Sequence, residues 1–381
     1  MMNGKKLLAG LGSAAILLTG VGAYGIWNES QAASIVQLDV NPSIELQVDK
    51  DGDVIRTSAL NTDGEKVLEG MKLKGADADT AVNAIVGSLL RHGYIDELAN
   101  SILLTVEDEN AARGEKLKEE LTEEINEILN ATAIQAAVLS QSMKETTLDE
   151  KENISQGKAT LIENIVDSNE RYKPEDLADL SVNELNLIVS NSKNKVENVA
   201  STGNATDGAY IGREKAKAAA FTHAKVKEAD VRELEVEMDY DYKVMVYEVE
   251  FASGEYEYDY IIDAESGEVL HSHREYDEDY VAPTVKLETN KEKKETTVAK
   301  KEETKAEKTS DIGRDKAKAI ALSHAGFSES GVSRLKVERD VDNGRIEYSV
   351  EFTANGKEYD YEISGESGKI FDYDVEVEDR D

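Results

Sequence analysis

Ile211-Gly212-Arg213-Glu214-Lys215-Ala216-Lys217-Ala218 recurs as Ile312-Gly313-Arg314-Asp315-Lys316-Ala317-Lys318-Ala319. The offset of 101 residues runs without a gap to Glu265-Ser266-Gly267 and Glu366-Ser367-Gly368, with about half of the positions identical. Two copies make a duplicated domain, since a solenoid needs at least three repeats. In each copy an alanine-rich stretch, 212–225 and 313–325, has helical spacing, with Ala216, Ala219, Ala220 and His223 on one face. Alternating strands follow. In the second copy Ile346, Tyr348, Val350 and Phe352 point one way and Glu347, Ser349 and Glu351 the other, and Asn343-Gly344 and Asn355-Gly356 mark hairpin turns. Glu-Ser-Gly then turns the chain into a last strand ending at Val269 or Ile370. The expectation is one helix over a three-stranded antiparallel sheet, a small α+β unit.

Working outward, residues 277–310 are dominated by Lys, Glu, Thr and Ala and offer no core, so they read as a solvated linker. A polar spacer at 191–208 precedes the first copy. Residues 34–190 form a different, mixed α/β domain. Alternation at Ile35 to Val40 and at Ile44 to Val48 gives two strands flanking Asn41-Pro42-Ser43. Asp51-Gly52 turns into a third strand, Val54 to Leu60, which Asp63-Gly64 ends. Helical spacing occupies 77–92, and a strand at Ile102 to Val106 leads to a charged helix over about 109–129 with Leu117, Leu121, Ile125 and Ile128 as its apolar stripe. Further helices are expected at 157–168 and 181–190, the latter opened by Ser181 with Glu184 in capping-box spacing.

Leu7 to Trp27 carries no charge. At 1.5 Å per residue it reaches about 31 Å, the thickness of a bilayer core. Lys5 and Lys6 place the short head in the cytoplasm, and Trp27 suits the far interface. The expectation is a single-pass anchor in a bacterial plasma membrane with the C-terminal part outside. The alternative is a signal peptide cleaved near Ala32, after Ser30-Gln31-Ala32, which yields a secreted chain. Residues 1–33 are in either case a targeting or anchoring segment.

The composition narrows the function. The chain of 381 residues holds 79 acidic and 44 basic side chains, for a net charge of −35. Such a surplus repels phosphate backbones and argues against nucleic-acid binding. With no cysteine, thiol nucleophiles, disulfide scaffolds and zinc–thiolate sites are excluded. No G-x-S-x-G, H-E-x-x-H, P-loop or dinucleotide glycine pattern is present, so neither a turnover enzyme nor a cofactor is expected.

Asp49-Lys50-Asp51-Gly52-Asp53 has glycine in fourth place and Leu60 in the twelfth, where an EF-hand needs glycine sixth and glutamate twelfth, so a hairpin turn is the better account. His271 and His273 share a strand face without a third ligand, and no metal site is expected. His223 and His324 read as packing residues. The Tyr-acidic clusters Tyr240-Asp241-Tyr242, Tyr256 to Tyr260 and Tyr276 to Tyr280 read as a half-buried sheet, with a contact surface as the alternative.

The bond Asn41-Pro42 has chemistry of its own. An asparagine side-chain amide can attack its own backbone carbonyl and close a succinimide. The usual competing route uses the following backbone nitrogen, which proline leaves without an N–H, so chain cleavage becomes the available outcome. Strain in a tight turn would accelerate it. An ordinary β-turn is the alternative.

Two resemblances follow from these residues. The repeated helix with its His-Ala pair, Glu358-Tyr359-Asp360-Tyr361-Glu362-Ile363 and the closing Glu-Ser-Gly-Lys-Ile resemble the PepSY domain. PepSY modules are extracytoplasmic, occur in tandem, and are associated with peptidase inhibition and regulation at the cell envelope. The resemblance places modules at 209–276 and 311–381. The run Leu38-Asp39-Val40-Asn41-Pro42-Ser43-Ile44-Glu45-Leu46 resembles the middle domain of RsgI-type anti-sigma factors. So do Asp51-Gly52-Asp53-Val54-Ile55, Leu60-Asn61, Gly64-Glu65-Lys66-Val67-Leu68 and Ser155-Gln156-Gly157-Lys158. The resemblance implies a sensor of polysaccharide or wall state outside the membrane, and self-cleavage at Asn41-Pro42. Met1 to Lys6 is too short for the family's cytoplasmic sigma-binding domain, so anti-sigma activity is not carried over.

The expectation is a non-catalytic envelope regulator that binds an extracytoplasmic protein, such as a peptidase, or a cell-wall component. The rival is an anchored or secreted peptidase inhibitor acting through its PepSY modules.

Overall fold

The computed structural model describes residues 32–132, 135–277, 280, 311–342 and 345–377. The membrane segment expected at 7–27, most of the linker and the Asn343-Gly344 turn lie outside the described residues. Among the described residues no helix is long and apolar enough to cross a membrane. The chain divides into two compact units, the first built mostly from residues up to 204 and the second containing both repeats together with residues 97–99 and 186–195.

In chain order the first part runs β1 (Ser34–Asp39), β2 (Ser43–Val48), β3 (Val54–Ala59), α1 (Thr62–Leu68), α2 (Ala78–Arg91), β4 (Ser101–Asp108), α3 (Ala111–Asn130), β5 (Ala137–Ser142), α4 (Leu148–Glu152), α5 (Gln156–Ser168), α6 (Pro174–Leu177), α7 (Val182–Asn191) and β6 (Val199–Thr202). The sheet order is β3-β2-β1-β4-β5-β6, with β4 and β5 parallel and the other pairs antiparallel. Val36, Leu38, Ile44, Leu46, Ile102 and Leu104 face a core shared with Ile85 and Leu89 of α2 and Leu121 and Ile125 of α3. The expected strands and helices form within a residue or two of where alternation and helical spacing place them, and Ser181 and Glu184 cap α7 reciprocally at 3.2 and 2.6 Å.

Two features differ from the sequence reading. Asp63-Gly64 does not end a strand in a turn; it lies inside α1, because Asn61 caps that helix by accepting from the Gly64 N–H at 2.8 Å. A strand, β6, forms within the stretch read as a polar spacer and pairs with β5. The polar face of β1, on which the alternation is silent, is also covered. α5 lies over it, so Gln37 and Asp39 are 4% and 1% exposed.

The second unit opens with α8 (Arg213–Ala224) followed by β7 (Val231–Asp241), β8 (Val244–Ser253), β9 (Tyr256–Asp263) and β10 (Val269–Tyr276). The second copy gives α9 (Arg314–Ala325), β11 (Ser333–Val337), β12 (Asp340–Asp342), β13 (Arg345–Ala354), β14 (Lys357–Ser364) and β15 (Ile370–Val377). The last strand of each copy thus begins at Val269 or Ile370, where the sequence reading had it end, and it adds a fourth main strand to the three expected. The hydrophobic alternation does continue there, through Leu270 and Ser272 or Tyr373, Val375 and Val377, all buried. Asn355 and Gly356, both at positive φ, close the β13–β14 hairpin as a two-residue turn.

Strands β10 and β15 pair antiparallel, joining the copies into one sheet of order β11-β13-β14-β15-β10-β9-β8-β7, with β12 also on β13. The join uses residues that break the repeat. Arg274 lies between the rings of Tyr256 and Tyr373, 4.4 and 4.7 Å from their centroids. It also donates to the Ile370 carbonyl at 3.1 Å. A cation held between two ring faces in a half-buried position stabilises by roughly 1–2 kcal/mol.

Candidate functional site

Strands β1 and β2 register Asp39 opposite Ser43, leaving Val40-Asn41-Pro42 as the connecting loop. The Val40 N–H donates to the Pro42 carbonyl at 3.0 Å. Asn41 is exposed while Pro42 is buried. None of the described residues at positive φ falls in this loop, so the backbone strain expected there is not seen.

Asn61 brackets the bond. Its Nδ2 donates to the Asn41 carbonyl oxygen at 2.7 Å, and its Oδ1 accepts from the Ser43 N–H at 3.2 Å and the Gly64 N–H at 2.8 Å. Two backbone donors on one side and a carbonyl acceptor on the other fix which way round this amide sits. A glycine is required at 64. A Cβ there would lie 2.6 Å from the Ser43 carbonyl oxygen, which itself accepts from the Leu60 N–H. The motif pieces Leu60-Asn61 and Gly64 therefore have a local explanation, a helix start packed against the Asn41-Pro42-Ser43 turn.

Asp39 approaches from the other side of the sheet. A Cβ on Gly157 would come within 2.7 Å of Asp39 Oδ2 and 2.8 Å of Thr105 Oγ1, so only glycine lets the first turn of α5 seat there. The Gly157 N–H donates to Gln37 Oε1 and its carbonyl accepts from Gln141 Nε2, both at 2.8 Å. Gln141 also donates to Thr105 Oγ1 at 3.1 Å and accepts from Asn164 at 3.1 Å. Burial lifts the Asp39 carboxyl to about 6. Neither oxygen has a partner at full hydrogen-bonding geometry, yet the Ser43 and Ser155 side chains and the Lys158 charge lie close enough to hold the rise back. Lys158, itself pushed down by burial, donates to the Ala178 carbonyl at 2.6 Å. Ser155-Gln156-Gly157-Lys158 thus meets the strand that leads into Asn41-Pro42, a convergence that spacing along the chain does not reveal.

The other candidates resolve as packing. Asp49 Oδ1 accepts from the Asp51 and Asp53 N–H groups at 2.9 and 3.1 Å and Gly52 has φ +97°, a hairpin turn that uses its carboxylate internally. His223 Nδ1 lies 3.2 Å from Tyr260 OH, and His324 Nδ1 3.1 Å from Tyr361 OH. Burial pushes both imidazoles down, His324 to about 4. Tyr247, Tyr260, Tyr348 and Tyr361 are core residues, whereas Tyr276 is 43% exposed. His271 and His273 face Asp374 and Asp372 across the join at 3.4 and 3.6 Å. Among the described residues no group of three or more His, Asp or Glu is placed to hold a metal ion.

A mixed-sheet domain with this loop, followed by duplicated helix-on-sheet modules, defines the class of protein. Residues 33–164 match the anti-sigma factor RsgI-like central domain, and residues 210–273 and 311–374 each match the peptidase propeptide and YPEB domain, PepSY. The chain therefore carries an RsgI-like central domain followed by two PepSY domains. Anti-sigma-I factor RsgI7 of Acetivibrio thermocellus is 28% identical over 189 residues, 49% of this chain and 35% of that protein. Anti-sigma-I factor RsgI6 of the same organism is 30% identical over 161 residues, 39% of this chain and 21% of that protein. The chain thus spans about a third or less of these relatives. Among solved structures, the C-terminal domain of Bacillus megaterium YpeB aligns with 43% of this chain and 97% of its own at 12% identity, with a TM-score of 0.16.

Proposed function

We propose that this chain is an envelope regulatory protein, held in a bacterial plasma membrane through residues 7–27, whose RsgI-like domain cleaves itself once at Asn41-Pro42. The likeness to anti-sigma-I factors supports a regulatory role related to theirs. In the reaction, Asn41 Nδ2 attacks the Asn41 carbonyl carbon and closes a five-membered succinimide. The C–N bond to Pro42 breaks, and one proton passes from Nδ2 to the Pro42 nitrogen, which leaves as a secondary amine. Water then opens the ring to a C-terminal asparagine or isoasparagine. The observation that carries this reading is the Asn41-Pro42 bond in a strand-to-strand loop, its carbonyl already hydrogen-bonded at 2.7 Å. The Asn41 side-chain amide, by contrast, has no hydrogen-bond partner among the described residues.

Cleavage there leaves the pieces paired. β1 is an interior strand with β2 on one side and β4 on the other, six residue pairs to each. An N-terminal fragment ending at Asn41 stays in the sheet until that pairing is pulled apart, a two-piece device suited to reporting a pull on the outer modules. The PepSY pair would supply the contact to an extracytoplasmic protein or to the wall. Native size exclusion tests the arrangement: the two fragments should co-elute in buffer and separate in denaturant. Separation in buffer alone would remove the paired-fragment device.

A further inference from the structure

Asn61 has an ordinary role as the cap of α1, and the hydrogen bond that its other end makes is not needed for that role. Capping uses Oδ1, which accepts from Gly64. The Nδ2 donor is aimed at the carbonyl oxygen of the one residue whose carbonyl carbon would be attacked, at 2.7 Å. As Asn41 Nδ2 adds to that carbon, the oxygen takes on negative charge, and a donor already in place stabilises the adduct more than the ground state. The Oδ1 end meanwhile holds the Ser43 N–H at 3.2 Å, just beyond the leaving proline. The same side chain thus fixes the residues before and after the bond while its amide points at the developing charge. Its exposure to water places the effect toward the low end of what oxyanion donors supply.

We infer that Asn61 is a catalytic residue of the Asn41-Pro42 cleavage, its side-chain amide serving as the oxyanion donor to the Asn41 carbonyl. This role rests on the self-cleavage reading. Gly64 is its positioning residue, since the close seat of α1 on Ser43 depends on the missing side chain.

The test follows the rate at which the full chain, made in membranes, yields a new terminus at Pro42. Two variants keep a cap acceptor and remove the donor. Asn61→Asp preserves shape but offers only acceptors at neutral pH, and Asn61→Ser caps well but is too short to reach the Asn41 carbonyl. Both are expected to slow cleavage about 10- to 100-fold, with unfolding midpoints close to that of the parent. Below the carboxyl's titration, Asn61→Asp should recover part of the rate relative to Asn61→Ser, because a protonated carboxyl donates again. A merely structural cap would give no such split. Cleavage within about threefold of the parent in either folded variant overturns the role while leaving self-cleavage intact. A parent chain that never yields a Pro42 terminus overturns the cleavage reading and this role together.

Discussion

In the first unit the buried ionisable group is a carboxylate, Asp39, beside the loop that holds Asn41-Pro42. The second unit has instead a partly exposed imidazole, His223 and again His324, set edge-on to a tyrosine ring. The histidines come with their surroundings duplicated. Phe251, Tyr258 and Tyr260 stack as Phe352, Tyr359 and Tyr361 do, and Lys217 reaches Glu228 as Lys318 reaches Glu329. A group that recurs with its tyrosine partner in place is part of how the module packs. Asp39 has no counterpart and no full hydrogen-bond partner, and it is buried where α5 covers a strand end next to the loop. A desolvation cost without a packing reason is one motive for placing the proposed chemistry at this loop.

A single added methyl group at Gly157 tests the covered strand end. Gly157→Ala pushes a Cβ into Asp39 and Thr105 and should destabilise the first unit by about 2–3 kcal/mol, read as a lower unfolding midpoint of that unit. An unchanged midpoint would mean that the α5 seat is loose.

The pH responses have opposite signs and sharpen the contrast. Asp39 is raised from 3.8 to about 6, so the folded first unit binds more protons than the unfolded chain between those values. Its contribution is fully present below about pH 4 and is lost as pH rises through 6, roughly 2–3 kcal/mol in all. Asp39→Asn should flatten that dependence. His324 is lowered from 6.5 to about 4, so its contribution is present above pH 6.5 and lost as pH falls through 4. Allowing for partial exposure, that is about 2 kcal/mol. Raised carboxylates on the helix-free face, among them Asp259, Asp360 and Asp372, act the other way. The quantity to measure is therefore the difference between the parent and His324→Asn across pH 4 to 7. A difference that does not grow as pH rises would break the comparison.

The smallest effect separates the two copies. Helix α8 ends on Lys225 at φ +58°, whereas α9 ends on Gly326 at φ +81°. Lys225→Gly should stabilise the second unit by about 0.5–1 kcal/mol in chemical denaturation.

Much of this architecture is legible in the sequence because it is local or repeated. Alternation through residues 34–60 marks three strands, and the 101-residue offset marks both modules. What escapes depends on contacts distant in the chain. Asp63-Gly64 reads as a turn until Asn61 is seen to cap it, and the alternation that marks Gln37 and Asp39 says nothing of α5, more than a hundred residues on, which covers them. The edge-to-edge join hides for another reason. Arg274 and Tyr373 occupy positions where the repeat fails, so self-similarity draws attention away from them. Asn41-Pro42 is a candidate in the sequence through its chemistry together with the family resemblance, but Asn61 stands out only as part of a motif, since the signal for its proposed donor role is a distance.

The most direct measurement is the intact mass and N-terminal residue of the full chain after synthesis, beside an Asn41→Ala variant. Self-cleavage yields a fragment beginning at Pro42 that is absent from the variant. A chain that stays whole, or an Asn41→Ala variant that is cut at the same place, would contradict it.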